Sequence, residues 1–332
     1  MLILVLLSLL GSASAQRFIF SSDRIRQEVA SPLSEAQNDL YLFDAGSEIR
    51  LTSTPDLAEY DPSPSSDSQL VAYASTDFIA GVTDYEASWT WRYHVIDLNG
   101  RELASWDLPG AENTFRPAGG FDIFWLPDRS GFLAQGYDAD GAWEIHRYFL
   151  DQTDSIPLTK GFGIVPSADG RFVVTMRAGE SYLVEIETGL ETSLGEGYPL
   201  GWAPDGGAVF LERNFALLLV PPTSPERTKL IGDTGPYLAL AWNPTRSAYA
   251  YTTVHEDGSS AVYFHDRRNT FLGSYGVEGL ADSFDWLDDE RLVLEWLPSS
   301  EEHLIAVIDR SGNIAVLVDS AGSDQTPRML RP

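Results

Sequence analysis

The sequence contains no cysteine. Disulfides cannot hold the chain together, thiol chemistry is excluded, and so is a lipid anchor on a cysteine. Lysine is almost absent, with Lys160 and Lys229 the only two. Forty-nine acidic residues face 22 basic ones, a formal net charge of −27. Nucleic acid and an anionic membrane surface are therefore repelled rather than bound. No apolar run beyond residue 10 approaches the roughly 20 residues that a membrane-spanning helix requires. Glycine and proline, 28 and 19 residues, are spread as turn punctuation and form no low-complexity tract.

What is present begins with an apolar run, Leu2 to Leu10, followed by small residues ending in Ala13-Ser14-Ala15. This reads as the apolar core and A-x-A cleavage site of a secretory signal over residues 1–15, with the mature domain spanning 16–332. These nine residues, apolar except for Ser8, are too few to cross roughly 30 Å of hydrocarbon as a helix. The expected location is the periplasm or the cell exterior. A large cysteine-free exported domain must be stabilised by its own core, and 43% hydrophobic and 12% aromatic residues suffice for one.

An internal repeat organises the rest. Its copies are 60–75, 120–136, 161–177, 197–213, 238–254 and 282–296: an apolar or aromatic residue, a Trp or Pro, a tight turn, then an alternating strand. The turn position holds Asp67, Asp128, Asp169, Asp205, Thr245 and Asp289, at spacings of 61, 41, 36, 40 and 44 residues. All but the first fall near the roughly 40–45 residues of one propeller blade. Pro127-Asp128 and Pro204-Asp205-Gly206 show the turn best, because Pro presets φ and Gly accepts a positive one. Trp125, Trp202, Trp242 and Trp286, three residues before the turn position, have the size to fill the wedge between blades, and their expected role is core packing. A second strand follows each turn strand, as in 93–100, 144–151, 182–189, 261–269 and 304–313, and a shorter third strand closes the unit.

Residues 17–54 form one more copy lacking its first strand. The tail, Gln325 to Leu330, supplies it most simply, which joins the two termini in one sheet and removes an exposed edge. The fold expected is all-β: a single propeller of four-stranded blades, seven in number, or six if one degenerate unit is not a true blade. No helix of useful length is predicted.

The stretch 39–75 resembles the TolB-like, WD40-like propeller repeat. Asp44, Gly46, Leu51-Thr52, Tyr60-Asp61 and Asp67 match its pattern, and 198–213 matches equally well. The resemblance covers essentially all of 17–318 and implies a propeller. No stretch matches the N-terminal α/β domain of TolB, so no Tol-system role is implied. Propellers of this kind also precede the hydrolase domain of prolyl-oligopeptidase-like peptidases.

Chemistry is sparse. No G-x-S-x-G elbow occurs. His94, His146, His255, His265 and His303 form neither H-x-H nor H-E-x-x-H. Asp138, Asp140 and Glu144 in YDADGAWE resemble part of a calcium loop but lack its remaining ligands, so a hairpin turn is the plainer reading, and the same holds for 255–258. No cofactor is expected, with calcium the one candidate. The insertion 76–91 carries Phe78, Tyr85, Trp89 and Trp91, which either anchor a partner or pack on the rim. The expected function is a monomeric, non-enzymatic module that recognises a protein, peptide or glycan of the envelope or exterior through loops and channel mouth. The rivals are a lyase, lactonase or glycoside-acting hydrolase with its site in the channel, and a structural part of a larger envelope assembly.

Overall fold

A computed structural model describes residues 17–23, 38–54, 56–77, 88–108, 110–111, 122–232, 237–299, 302–318 and 324–330. Residues 1–15, expected to be a signal segment, lie outside them. The strands form seven antiparallel sheets of four. The first strand of each sheet touches the first strand of the next all the way round. The chain is thus a seven-bladed β-propeller. Among the described residues its one helical element is a single turn, Pro225–Arg227.

Blades 2 to 7 begin with the inner strands Ala58–Pro64, Ile123–Trp125, Phe162–Pro166, Tyr198–Trp202, Tyr237–Trp242 and Leu280–Trp286. Each continues outward as a meander, the arrangement that tight antiparallel hairpins favour. Blade 1 differs. Its second to fourth strands are Arg17–Ser22, Asp39–Asp44 and Ser47–Arg50, and its inner strand is the C-terminal Asp324–Met329. That strand pairs antiparallel with Arg17–Ser22, Phe18 opposite Met329 and Ser22 opposite Asp324.

The repeated turn explains its own residues. Asp67, Asp128, Asp169 and Asp205 each accept, through Oδ1, the backbone N–H two residues on, at 2.8–3.3 Å. The next residue is left-handed: Ser68, Arg129, Gly170, Gly206 and Arg246 have φ of 54, 60, 66, 69 and 53°. An Asx turn of this kind needs a short acceptor and then a residue tolerant of positive φ. At Gly170 the neighbouring blade adds a second demand, since a Cβ there would stand 2.1 Å from Pro127 Cγ.

The indoles do more than fill space. Trp125, Trp202, Trp242 and Trp286 each donate Nε1–H to an inner-strand carbonyl of the preceding blade: Ser63, Val165, Trp202 and Ala241, at 2.9, 2.9, 2.6 and 2.9 Å. One side chain thereby supplies apolar area to the wedge and satisfies a buried carbonyl beyond it. An apolar cluster fills each of the seven inter-blade wedges. The largest joins blades 2 and 3 and includes Trp89, Trp91, Tyr93, Trp106, Trp125, Phe132 and Tyr148.

Trp286 is fully buried. Trp286→Phe removes its donor and leaves the Ala241 carbonyl unsatisfied, so it is expected to cost about 1–3 kcal/mol of unfolding free energy. Urea unfolding checks this, and an unchanged midpoint would show that the indole bond contributes nothing.

Candidate functional site in the axial channel

Phe78 and Tyr85 lie outside the described residues. The ends of their insertion are fixed, with Thr76 paired to Trp91 and the Thr90 N–H donating to Asp77 Oδ1 at 2.8 Å. Trp89 and Trp91 are each 3% exposed and belong to the blade 2–3 core, so in this conformation they offer no surface to a partner. Asp138 caps its own hairpin: Oδ1 accepts the N–H groups of Asp140 and Ala142, both at 2.9 Å, and Oδ2 pairs with Lys160 Nζ at 2.6 Å. Glu144 instead faces His146 Nε2 at 3.1 Å. The three candidate calcium ligands therefore do not converge, and among the described residues no group of three acids or histidines is placed to hold a metal. In 255–258, Asp257 caps a hairpin by accepting the Ser259 N–H at 3.0 Å.

The strand histidines are built into blade interiors. His94 Nδ1 lies 2.7 Å from Glu102 Oε2, and its Nε2 lies 2.8 Å from Ser75 Oγ. A carboxylate only accepts, so Nδ1 carries the proton and Nε2 accepts from the Ser75 hydroxyl. Burial pushes the His94 pKa down against the pull of Glu102, keeping the ring neutral. This has the connectivity of a Ser-His-acid relay, but Ser75 has no exposed surface and no substrate can reach its Oγ. His146 spans Glu144 and Ser155, the latter at 3.0 Å from Nδ1, and packs over Gly136, whose Cβ would meet the ring at 3.0 Å. His265 stacks with Tyr249 and Tyr251. Burial lowers the pKa of both.

The inner strands carry the open chemistry. Asp61 and Asp122 stand at the same repeat position, six residues before Asp67 and Asp128, on neighbouring blades. Asp61 sits in a bulge between Tyr60 and Ser63 with φ of 54°, a left-handed conformation that a short acidic side chain tolerates. Asp122 reaches the next blade and accepts the Ile164 N–H on Oδ2 at 3.2 Å. It is solvent-exposed, yet desolvation by surrounding protein, reinforced by the charge of Asp61, raises its pKa to about 6, against the opposing pull of Arg328. Asp122 immediately precedes the inner strand Ile123–Trp125, which places it on the axial side of the ring. Tyr198, at the outer end of its inner strand, is 38% exposed, and its hydroxyl feels the charge of Asp122. Arg328 comes from the closing strand. On the very next residue the Met329 N–H donates to Asp285 Oδ2 of blade 7 at 3.2 Å, and the Asp285 carboxylate also takes the Trp286 N–H.

Short motifs could not announce this group, since its members come from blades 1, 2, 3 and 5. The one signal was the Asp recurring six residues before the turn aspartate.

No family model matches the chain, and no curated protein matches it. Among solved structures, a functionally unknown protein from Desulfotomaculum acetoxidans DSM 771 superposes with a TM-score of 0.62 at 13% identity, covering 95% of this chain and 99% of that one. A prolyl endopeptidase structure gives 0.60 at 16% identity over 89% of this chain and 47% of that one. The chain thus spans about half the length of that enzyme. TolB from Acinetobacter baumannii gives 0.48 at 15% identity, covering 79% of this chain and 63% of that one. The first two likenesses, at such identities, show the propeller fold and nothing finer.

Asp122 should titrate near pH 6. Asp61→Asn removes a like charge and should lower that pKa, whereas Arg328→Gln removes an opposite charge and should raise it. Carboxyl ¹³C titration reads both shifts, and no movement in either variant would dissolve the channel group.

Proposed function

We propose that the chain is an exported, non-enzymatic binding module that takes a protein or peptide partner by basic side chains inserted at the mouth of its acidic channel. One observation carries this reading. The Ser75–His94–Glu102 relay and the other two strand histidines are walled into blade interiors, while the axial side presents carboxylates of separate blades. A net charge of −27 adds long-range attraction for a cationic partner, which speeds encounter. The exposed ring of Tyr198 offers a face on which a guanidinium or ammonium can rest.

The rival channel enzyme draws on the same pair. A carboxyl of raised pKa beside a second carboxylate is also the arrangement of general acid–base catalysis. One set of assays separates the two. Peptides of equal length carrying zero to four Arg or Lys residues are titrated against the protein by fluorescence anisotropy. Affinity is expected to rise with each positive charge, to fall with salt, and to drop at least about tenfold in the double variant Asp61→Asn, Asp122→Asn. Wild-type affinity in that variant overturns the reading. So does turnover of a polysaccharide or peptide substrate that the same substitutions abolish.

A further inference from the structure

We propose that the seam between blades 1 and 2 is a proton-gated latch, closed when the Glu59 carboxyl is protonated and loosened when it ionises. Glu59 lies on the inner strand of blade 2 and has no exposed surface. Its backbone N–H donates to the Asn38 carbonyl of blade 1 at 2.9 Å. Its carboxyl meets the Thr52 hydroxyl at Oε2 and the Thr54 hydroxyl at Oε1, the latter at 2.6 Å. Thr52 Oγ1 in turn accepts the Leu40 N–H at 2.9 Å. The side chain is thus a staple from blade 2 into the one blade assembled from both chain ends.

The charges around it do not support an ionised form. Asp39 of blade 1 is buried beside it, and Arg50 of that blade is already paired with Asp39 at 2.7 Å. From blade 2 it faces Tyr73, which stays neutral because burial and the nearby acids push its pKa up. His94, reached through Ser75, is pushed toward its neutral form by burial. On its own strand the next acid is Asp61. Arg328 of the closing strand acts on Asp122. Burial, with a smaller contribution from Asp39, raises the Glu59 pKa from an ordinary 4.5 to about 7 despite the threonine hydrogen bonds.

The sign follows. The closed seam holds the proton more tightly than an open, hydrated one, so closure is favoured at low pH and weakens as pH rises from about 4.5 to about 7. With those two values, opening becomes roughly 30-fold easier between pH 5.5 and pH 8.5. Glu59 stands two residues before Asp61 on the same inner strand, so release of the seam moves a channel carboxylate. The latch does not depend on what the channel binds.

Hydrogen exchange on the full domain tests it, corrected for the intrinsic pH dependence of exchange. Blade 5, 198–232, serves as internal reference. Peptides covering 38–54 and 58–64 are expected to lose protection by roughly 30-fold from pH 5.5 to pH 8.5 relative to that reference. Glu59→Gln is expected to abolish the dependence. Asp39→Asn, which keeps Glu59 but removes its repelling neighbour, is expected to move the midpoint to lower pH. Parallel behaviour of seam and reference in the wild type overturns the latch. So does an unchanged profile in Glu59→Gln or an unmoved midpoint in Asp39→Asn.

Discussion

The ring stands on one pairing, that of Asp324–Met329 with Arg17–Ser22. Every other blade is a local meander whose strands follow one another in sequence. Blade 1 alone must bring together segments roughly 300 residues apart, an entropy cost on the order of 5 kcal/mol for a flexible loop of that length. The ladder hydrogen bonds answer part of that cost. Burial answers more, because Met329 packs into the blade 7–1 core and Leu330 into the blade 1–2 core. Asp285 adds a side-chain acceptor for the Met329 N–H. Closure of this kind completes the ring, with the inner strands of all seven blades set around its axis.

Once the ring exists, polar atoms buried between blades need partners, and that need assigns most of the reactive residues. Inner-strand carbonyls are met by indole N–H groups from the following blade. Ser75, His94 and Glu102 form a relay in hydrogen-bond order, yet the relay joins neighbouring strands of one sheet. A catalytic reading of that relay would ignore access. The same accounting separates the channel acids, which reach solvent, from everything else that could do chemistry.

The blade count and the closing strand were legible because they depend on local spacing. Turn aspartates recur at blade length, and an incomplete first unit demands a strand from the other end. The indole positions were legible as packing, but their hydrogen bonds were not, since the acceptors lie 37 to 62 residues away. Trp89 and Trp91 were read as loop aromatics. Their alternation with Tyr93 and Val95 places all four on one face, and the structure puts them together in the blade 2–3 core. The convergence of Asp61, Asp122 and Arg328 was beyond reach, because it arises only when blades 1, 2 and 3 meet at an axis.

The acidity itself divides into two populations with opposite physics. Asp67, Asp97, Asp128, Asp169, Asp257 and Asp266 cap turns, and the hydrogen bonds they accept lower their pKa values. These acids are turn chemistry repeated around a ring, and they need no cationic environment to explain them. Glu59 and Asp122 are the counter-population: the first lies on an inner strand and the second immediately precedes one, and in both burial raises the pKa, to about 7 and about 6. As pH moves from about 5 to about 8 the turn aspartates are already ionised and silent. The carboxyls that change state in that range sit at the channel and at the seam beside it. Both of these described carboxyls thus lie where neighbouring blades meet.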